Sequence, residues 1–167
     1  ELIYLNREAQ LGLWEYIHAH DSMIDEVRGN NYYSEPIAFE LDDSDIKETI
    51  RPYAMGRIID VAQFISQYNC DPDGPGGCFS FEIADELLPW NNGTFVIDFE
   101  KGHCALTDKN PQYHLSMSIG TFTTLLLGYK SAEKLLQMGK IQTTYDAVAK
   151  LDDILYLSLI HISEPTR

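Results

Sequence analysis

Two stretches of alternation constrain this chain more than anything else in it. Phe79, Phe81 and Ile83 interleave with Ser80, Glu82 and Ala84, and Phe95, Ile97 and Phe99 repeat the pattern. In an extended chain successive side chains point to opposite sides, so a period of two gives each stretch one aromatic face that has to be buried. Between them, Asn92-Gly93 tolerates positive φ and signals a turn, although residues 85–90 make the connection longer than a minimal hairpin. Cys104-Ala105-Leu106 and the run 113–117 add two more short strands, and the predicted sheet is antiparallel.

Helical signals surround these strands. Asn6 is placed to cap residues 7–20, where Ala9, Leu13, Tyr16 and Ile17 share a stripe. Asp60 caps a second segment carrying Val61, Phe64, Ile65 and Tyr68, reached through an extended apolar run over 53–59. Ser118 caps 119–127, which Gly128 can close, Ser131 caps the next segment, and residues 141–155 form a last helix. Residues 1–5 and 23–27 read as short extended pieces, and 34–50 as a packed irregular segment. Strands followed by helices give the α+β class.

The chain holds 12 Lys and Arg against 26 Asp and Glu, a net charge of -14, which repels phosphate backbones and anionic membrane surfaces. Nucleic acid and membrane are therefore excluded as expected partners, whereas a cationic ligand is attracted. The longest apolar run, Leu125-Leu126-Leu127, is far too short for a membrane span. Cys70, Cys78 and Cys104 are odd in number and have no framework spacing, which fits a reducing, cytoplasmic setting without structural disulfides.

Residues with nominal ligand chemistry do not assemble into a motif. Asp71, Asp73, Gly76 and Glu82 partly imitate a calcium loop, which Pro75 breaks. Cys70, Cys78, His103 and Cys104 match no zinc spacing, and His103 and Cys104 should face opposite ways. His18, His20 and Asp21 share no helix face, and His20 is better explained by the helix C-terminus. No metal is expected.

Several phrases, in order, resemble the Eis-type (enhanced intracellular survival) GNAT N-acetyltransferases: Glu1-Leu2-Ile3-Tyr4-Leu5, Leu13-Trp14, Asp21-Ser22-Met23 and Arg57-Ile58-Ile59-Asp60-Val61. Phe81-Glu82-Ile83-Ala84-Asp85, Trp90-Asn91 and Leu125-Leu126-Leu127-Gly128-Tyr129 resemble the sterol-carrier-like (SCP2-like) domain that ends those proteins. The resemblance implies the end of a central GNAT-like domain over 1–52, a crossover strand and helix over 53–69, and a sterol-carrier-like domain over 70–156. It implies a parent enzyme that uses acetyl-CoA to acetylate a small-molecule amine, of the aminoglycoside, polyamine or lysine-like kind, and acts as a homo-oligomer. The acetyl-CoA domain is expected to lie outside this chain, so no residue here inherits a catalytic or cofactor-binding role and the chain alone is expected to be inactive. Arg51, Pro52 and Tyr53 are the expected substrate-pocket residues. An exposed apolar surface is expected where the missing domain docks. A lipid-binding module or a structural oligomerisation domain is the alternative reading. Residues 157–167 resemble the translation of a transposase adapter used in DNA library preparation, so the native sequence is expected to stop near Tyr156.

Overall fold

The computed structural model describes residues 3–30, 38, 46–50, 55–70, 74–100 and 102–163, with the backbone alone over 156–163. It divides into two units, Glu1–Tyr53 and Ala54–Arg167. In the first unit, helix α1 (Arg7–His18) begins as expected, with Asn6 Oδ1 accepting from the Ala9 N–H at 2.8 Å. His20 Nδ1 lies 2.7 Å from the Tyr16 carbonyl, in keeping with a role at the helix end rather than in a metal cluster. The extended piece expected over 23–27 is not a strand: Asp21–Met23 forms a 3-10 turn and no ladder follows it. Residues 3–5 likewise carry no strand pairing among the described residues.

The second unit is a sheet covered by helices. Its elements run α2 (Val61–Gln67), β1 (Gly77–Ala84), β2 (Gly93–Glu100), β3 (His103–Leu106), β4 (Tyr113–Ser118), α3 (Ile119–Leu126), α4 (Ala132–Gln137), β5 (Ile141–Gln142) and α5 (Tyr145–Ser163). Strand order is β3-β2-β1-β4-β5. The α+β expectation holds, but the sheet is mixed rather than antiparallel, because β1 and β4 run parallel, with Phe81 beside Leu115. The reason is the shortness of β3. Leu106 pairs with Ile97, Ile97 with Phe79 and Phe79 with Tyr113, so the end of β3 is already level with the start of β4. Residues 107–112 need only cross sideways, about 14 Å for three strand spacings, which six residues reach easily. Thr107 N–H donates to the Val96 carbonyl (3.0 Å) and Gln112 N–H to that of Cys78 (2.9 Å), which pins the crossing at both ends.

Phe79, Phe81, Ile83, Ile97, Phe99, Leu115 and Met117 all lie on one sheet face and are buried. Phe81 meets Phe99 and the Phe122 ring of α3 edge-on, at centroid distances of 6.5 and 5.3 Å. Ser118 ends β4 and caps α3, its Oγ accepting from the Thr121 N–H, so strand turns into helix with no linker and Phe122 falls back onto the sheet. Asp152 of α5 accepts from the Ala132 and Glu133 N–H groups at 2.5 and 2.8 Å, capping α4 from a neighbouring helix.

Two further expectations change at the C-terminal end. Ile141 was expected to open the last helix, but it pairs with Met117 and is buried as β5; the helix begins only at Tyr145, after the β-branched pair Thr143-Thr144. That helix also runs past its expected end at Leu155 to Ser163, since nothing from Leu157 to Ser163 is Gly or Pro and the backbone has no local reason to stop.

Phe81→Ala removes the ring that touches both sheet neighbour and helix, and it should lower unfolding free energy by about 3–5 kcal/mol in urea denaturation. A loss below about 1 kcal/mol would mean the face is loosely packed.

Candidate functional site

The most densely bonded polar group in the second unit is Asp85, which follows directly on β1. It is only 3% exposed, and a carboxylate so buried must be fully satisfied. Oδ1 accepts from Arg57 Nη2 (2.6 Å) and from the N–H groups of Leu87 (2.9 Å) and Leu88 (3.1 Å). Oδ2 accepts from Asn91 Nδ2 at 3.0 Å. Burial by itself raises the carboxyl, but the donors from Asn91, Leu87, Leu88 and Arg57 outweigh it and hold Asp85 at about 2, below its ordinary 3.8.

The next shell extends the same network. Asn91, 1% exposed, receives the Val61 N–H on Oδ1 (3.1 Å) and donates also to the Ile59 carbonyl (3.0 Å), which Trp90 Nε1 shares at 2.9 Å. Asn92 brackets the Asp85 backbone, accepting its N–H at 2.7 Å and donating to its carbonyl at 2.5 Å. The turn expected at Asn92-Gly93 lies earlier: Asn92 is extended (φ -77°, ψ 122°) and Gly93, at φ 145°, already opens β2, so the chain reverses over the eight-residue loop 85–92, which Asn92 closes on itself. Residues 55–59, expected as a strand, carry no ladder among the described residues; Ile58 N–H donates instead to Thr123 Oγ1 of α3 at 3.1 Å. Arg57, Asp85, Trp90 and Asn91 lay within the phrases that carried the family resemblance, yet nothing in their spacing indicated that they meet. Tertiary closure alone reveals it.

Arg57 also borders an open groove of ≈ 510 Å³ lined by Gly56, Ile58, Ile59, Phe64, Tyr68 and Leu127 among others. The Phe64 and Tyr68 rings pack along its wall at a tilt of 32°, centroids 5.5 Å apart, and the Tyr68 hydroxyl donates to the Leu126 carbonyl at 3.0 Å. Of its apolar lining, Ile59 (58% exposed) and Leu127 (53%) are uncovered, as is Met55, which precedes Gly56 in the chain. A second cleft, ≈ 560 Å³, lies where the 107–112 crossing passes Cys78, Asp98 and Glu100. Lys109 contacts Asp98 there, which raises the lysine, while burial and then the Asp98 charge push the Cys78 thiol up.

The residues singled out from sequence do not converge on these surfaces. Arg51, Pro52 and Tyr53 lie outside the described residues, as do Asp71 and Asp73 of the broken calcium loop. Cys70 and Cys104 come together, Cys78 lies on the opposite sheet face, and exposed His103 points away from Cys104. Among the described residues no group of three His, Cys, Asp or Glu side chains converges on a metal-sized space. Nor do the helix starts fit the pyrophosphate of the acetyl-CoA implied by resemblance, which needs open N–H groups. Asn6 and Ser118 each take one such N–H in α1 and α3, Asp60 and Asn91 take two in α2, and Ser131 and Asp152 take three in α4, where the Asp152 carboxylate also repels an anion. What the second unit offers chemically is an apolar groove held in shape by a buried ionic network.

Comparison with known proteins places this geometry. Residues 61–158 match the family model for a sterol carrier protein domain, and residues 1–58 match that for an acetyltransferase (GNAT) domain. A conserved protein of unknown function from Enterococcus faecalis V583, described as a probable N-acyltransferase, is 28% identical with a TM-score of 0.70, over 93% of this chain and 40% of its own. A GCN5-related N-acetyltransferase from Anabaena variabilis ATCC 29413 is 22% identical (TM-score 0.68; 92% of this chain, 39% of its own). Eis1 from Mycobacterium abscessus is 19% identical (TM-score 0.62; 93% and 39%). The last two likenesses establish a shared fold. The chain spans about 40% of the length of these solved structures. No curated protein matches.

Acid should probe the network directly. A carboxyl held at about 2 contributes stability that is present above 3.8 and is lost as the pH falls toward 2. Thermal midpoints should therefore drop across that window in the wild type, and Asp85→Asn should flatten that part of the profile while lowering stability near neutrality. Asn91→Ala, which orphans the Val61 N–H and strips one donor from Asp85, should cost about 1–3 kcal/mol in chemical denaturation.

Proposed function

We propose, from the premise that this chain belongs to the sterol carrier protein domain family over residues 61–158, that it is part of an acetyl-CoA-dependent N-acetyltransferase acting on amine substrates. The observation that carries this reading is the order of two matches in one chain, a GNAT domain over 1–58 running straight into a sterol carrier domain over 61–158. The likeness over nearly the whole chain to the Enterococcus protein described as a probable N-acyltransferase supports it. The finer assignment is the Eis-type branch, working as a cytoplasmic homo-oligomer on an aminoglycoside, polyamine or lysine-like amine. The net charge of -14 favours a cationic substrate.

On this reading the sterol-carrier-like unit is scaffold rather than carrier. The aromatic rows that would line a lipid cavity are filled by α3 and by one another: Phe79, Phe81, Phe99 and Phe122 are each at most 1% exposed. The cofactor binds elsewhere in the intact enzyme, in keeping with the capped helix starts of this chain, and the chain by itself is a fragment without activity. Arg51, Pro52 and Tyr53 border the amine pocket of that enzyme, and the apolar strip of Met55, Ile59 and Leu127 is a seat for its remaining part.

The test joins the portion of the Enterococcus relative that precedes the matched region to this chain and measures thiol release from acetyl-CoA with spermidine as acceptor. The folded chimera should release thiol in an amine-dependent way, whereas this chain alone should not. Amine-independent background in a folded chimera, or saturable binding of a fluorescent fatty acyl probe by this chain, would replace the enzyme reading with the lipid-carrier one.

A further inference from the structure

Cys70 lies just beyond α2, and Cys104 is the second residue of β3. An antiparallel bridge pairs Asn69 with His103, and the Cys70 N–H donates to the Gly102 carbonyl at 3.2 Å. Residue 70 is thereby set opposite residue 102, and residue 104, two further on, shares its face as a diagonal neighbour. The Cys70 thiol donates to the His103 carbonyl at 3.4 Å, one residue before Cys104. Both are buried in the hydrophobic core. Diagonal neighbours sit about 7–8 Å apart at Cα, beyond the usual disulfide range of about 4.4–6.8 Å. Joining them requires residues 69–70 to slide about 1 Å along β3, a segment held there only by the Asn69–His103 bridge and the Cys70 N–H bond to Gly102.

We propose that Cys70 and Cys104 are a modification site that exchanges with small disulfides of the glutathione class and closes into a reversible intramolecular disulfide. The Cys70 thiolate attacks one sulfur of R–S–S–R, forming protein–S–S–R and expelling RS⁻, which takes a proton from water. The Cys104 thiol, giving its proton to water, then attacks the Cys70 sulfur and expels the second RS⁻. The two protein thiols lose two electrons and two protons to one protein disulfide, and one small disulfide is reduced to two thiols.

The order of attack follows from the surroundings. Burial, and then its neighbour Cys70, push the Cys104 thiol up, which makes Cys104 the slower of the two to supply a thiolate and suits it to the resolving step. Cys78, on the opposite sheet face beside Asp98, has no thiol partner on its own face and serves as an internal control. The closed form staples the end of α2 to β3 and so fixes Tyr68, which lies two residues before Cys70 and lines the groove. It also closes the long segment between residues 70 and 104, which lowers the entropy of the unfolded chain.

The experiment incubates the full chain with oxidised glutathione under native conditions and maps peptides without reduction. The expected product is a peptide pair linked through Cys70 and Cys104 with Cys78 unmodified, a higher thermal midpoint, and reversal of both by dithiothreitol. Cys104→Ser should stop at a glutathione adduct on Cys70, and Cys78→Ser should leave the wild-type result intact. Three free thiols at an oxidising poise, an unresolved adduct on wild-type Cys70, or linkage to Cys78 in comparable yield would each overturn the proposal. Chain unfolded in denaturant before oxidation should scramble all three pairings, which separates a native site from chance encounter.

Discussion

A carboxylate buried to 3% exposure has to be surrounded by donors, and Asp85 draws them from three separate places. Arg57 comes from the segment entering the second unit, Leu87 and Leu88 from the loop after β1, and Asn91 from the 3-10 turn before β2. Each donor carries its own backbone with it. Asn91 passes the constraint to Val61, the first residue of α2, and Asn92 fixes where β2 begins. Removing Asn91 would strip the donor from Asp85 Oδ2 and the acceptor from the Val61 N–H, which is why such a network holds geometry more firmly than its net energy suggests.

The hydrophobic layer rests on that frame. With α2 and β2 placed, the aromatic faces of β1 and β2 meet the helix that grows directly out of β4, and Phe122 closes the gap over Phe81. The face is filled by side chains: Phe79, Phe81, Phe99 and Phe122 are each at most 1% exposed. What remains open is the groove beside Arg57, whose floor is made by Gly56 and Leu127: a Cβ at Gly56 would stand 2.7 Å from Leu127 Cδ1. The same corner brings the paired thiols of Cys70 and Cys104 next to the groove wall, so a core feature and a surface feature are mechanically linked through α2.

Much of the secondary structure was legible beforehand because its signals are local. The alternation at Phe79, Phe81 and Ile83 reports a strand face regardless of context, and Asn6, Asp60, Ser118 and Ser131 each cap the helix expected of them. Expectations failed where pairing at a distance decided the outcome. Ile141 has the pattern of a helix start but gains more by burial against Met117, and the segment over 23–27 has strand-like residues but no ladder to join. The direction of β4 was unreadable for the same reason, since it depends on β3 stopping level with the start of β4. For the site, the residues carried over from the resemblance, Arg51, Pro52 and Tyr53, lie outside the described residues, while the Asp85 network went unseen because its members are separated by up to 34 positions between Arg57 and Asn91.

The sequence by itself determined the α+β class, the helix caps and the buried aromatic face, because each depends on neighbouring residues. Only the tertiary structure decided that β1 and β4 are parallel, that Asp85 gathers Arg57 and Asn91, and that two of three cysteines meet. Those outcomes depend on which distant segments share space. Side-chain chemistry at one position cannot encode that until the rest of the chain has closed around it.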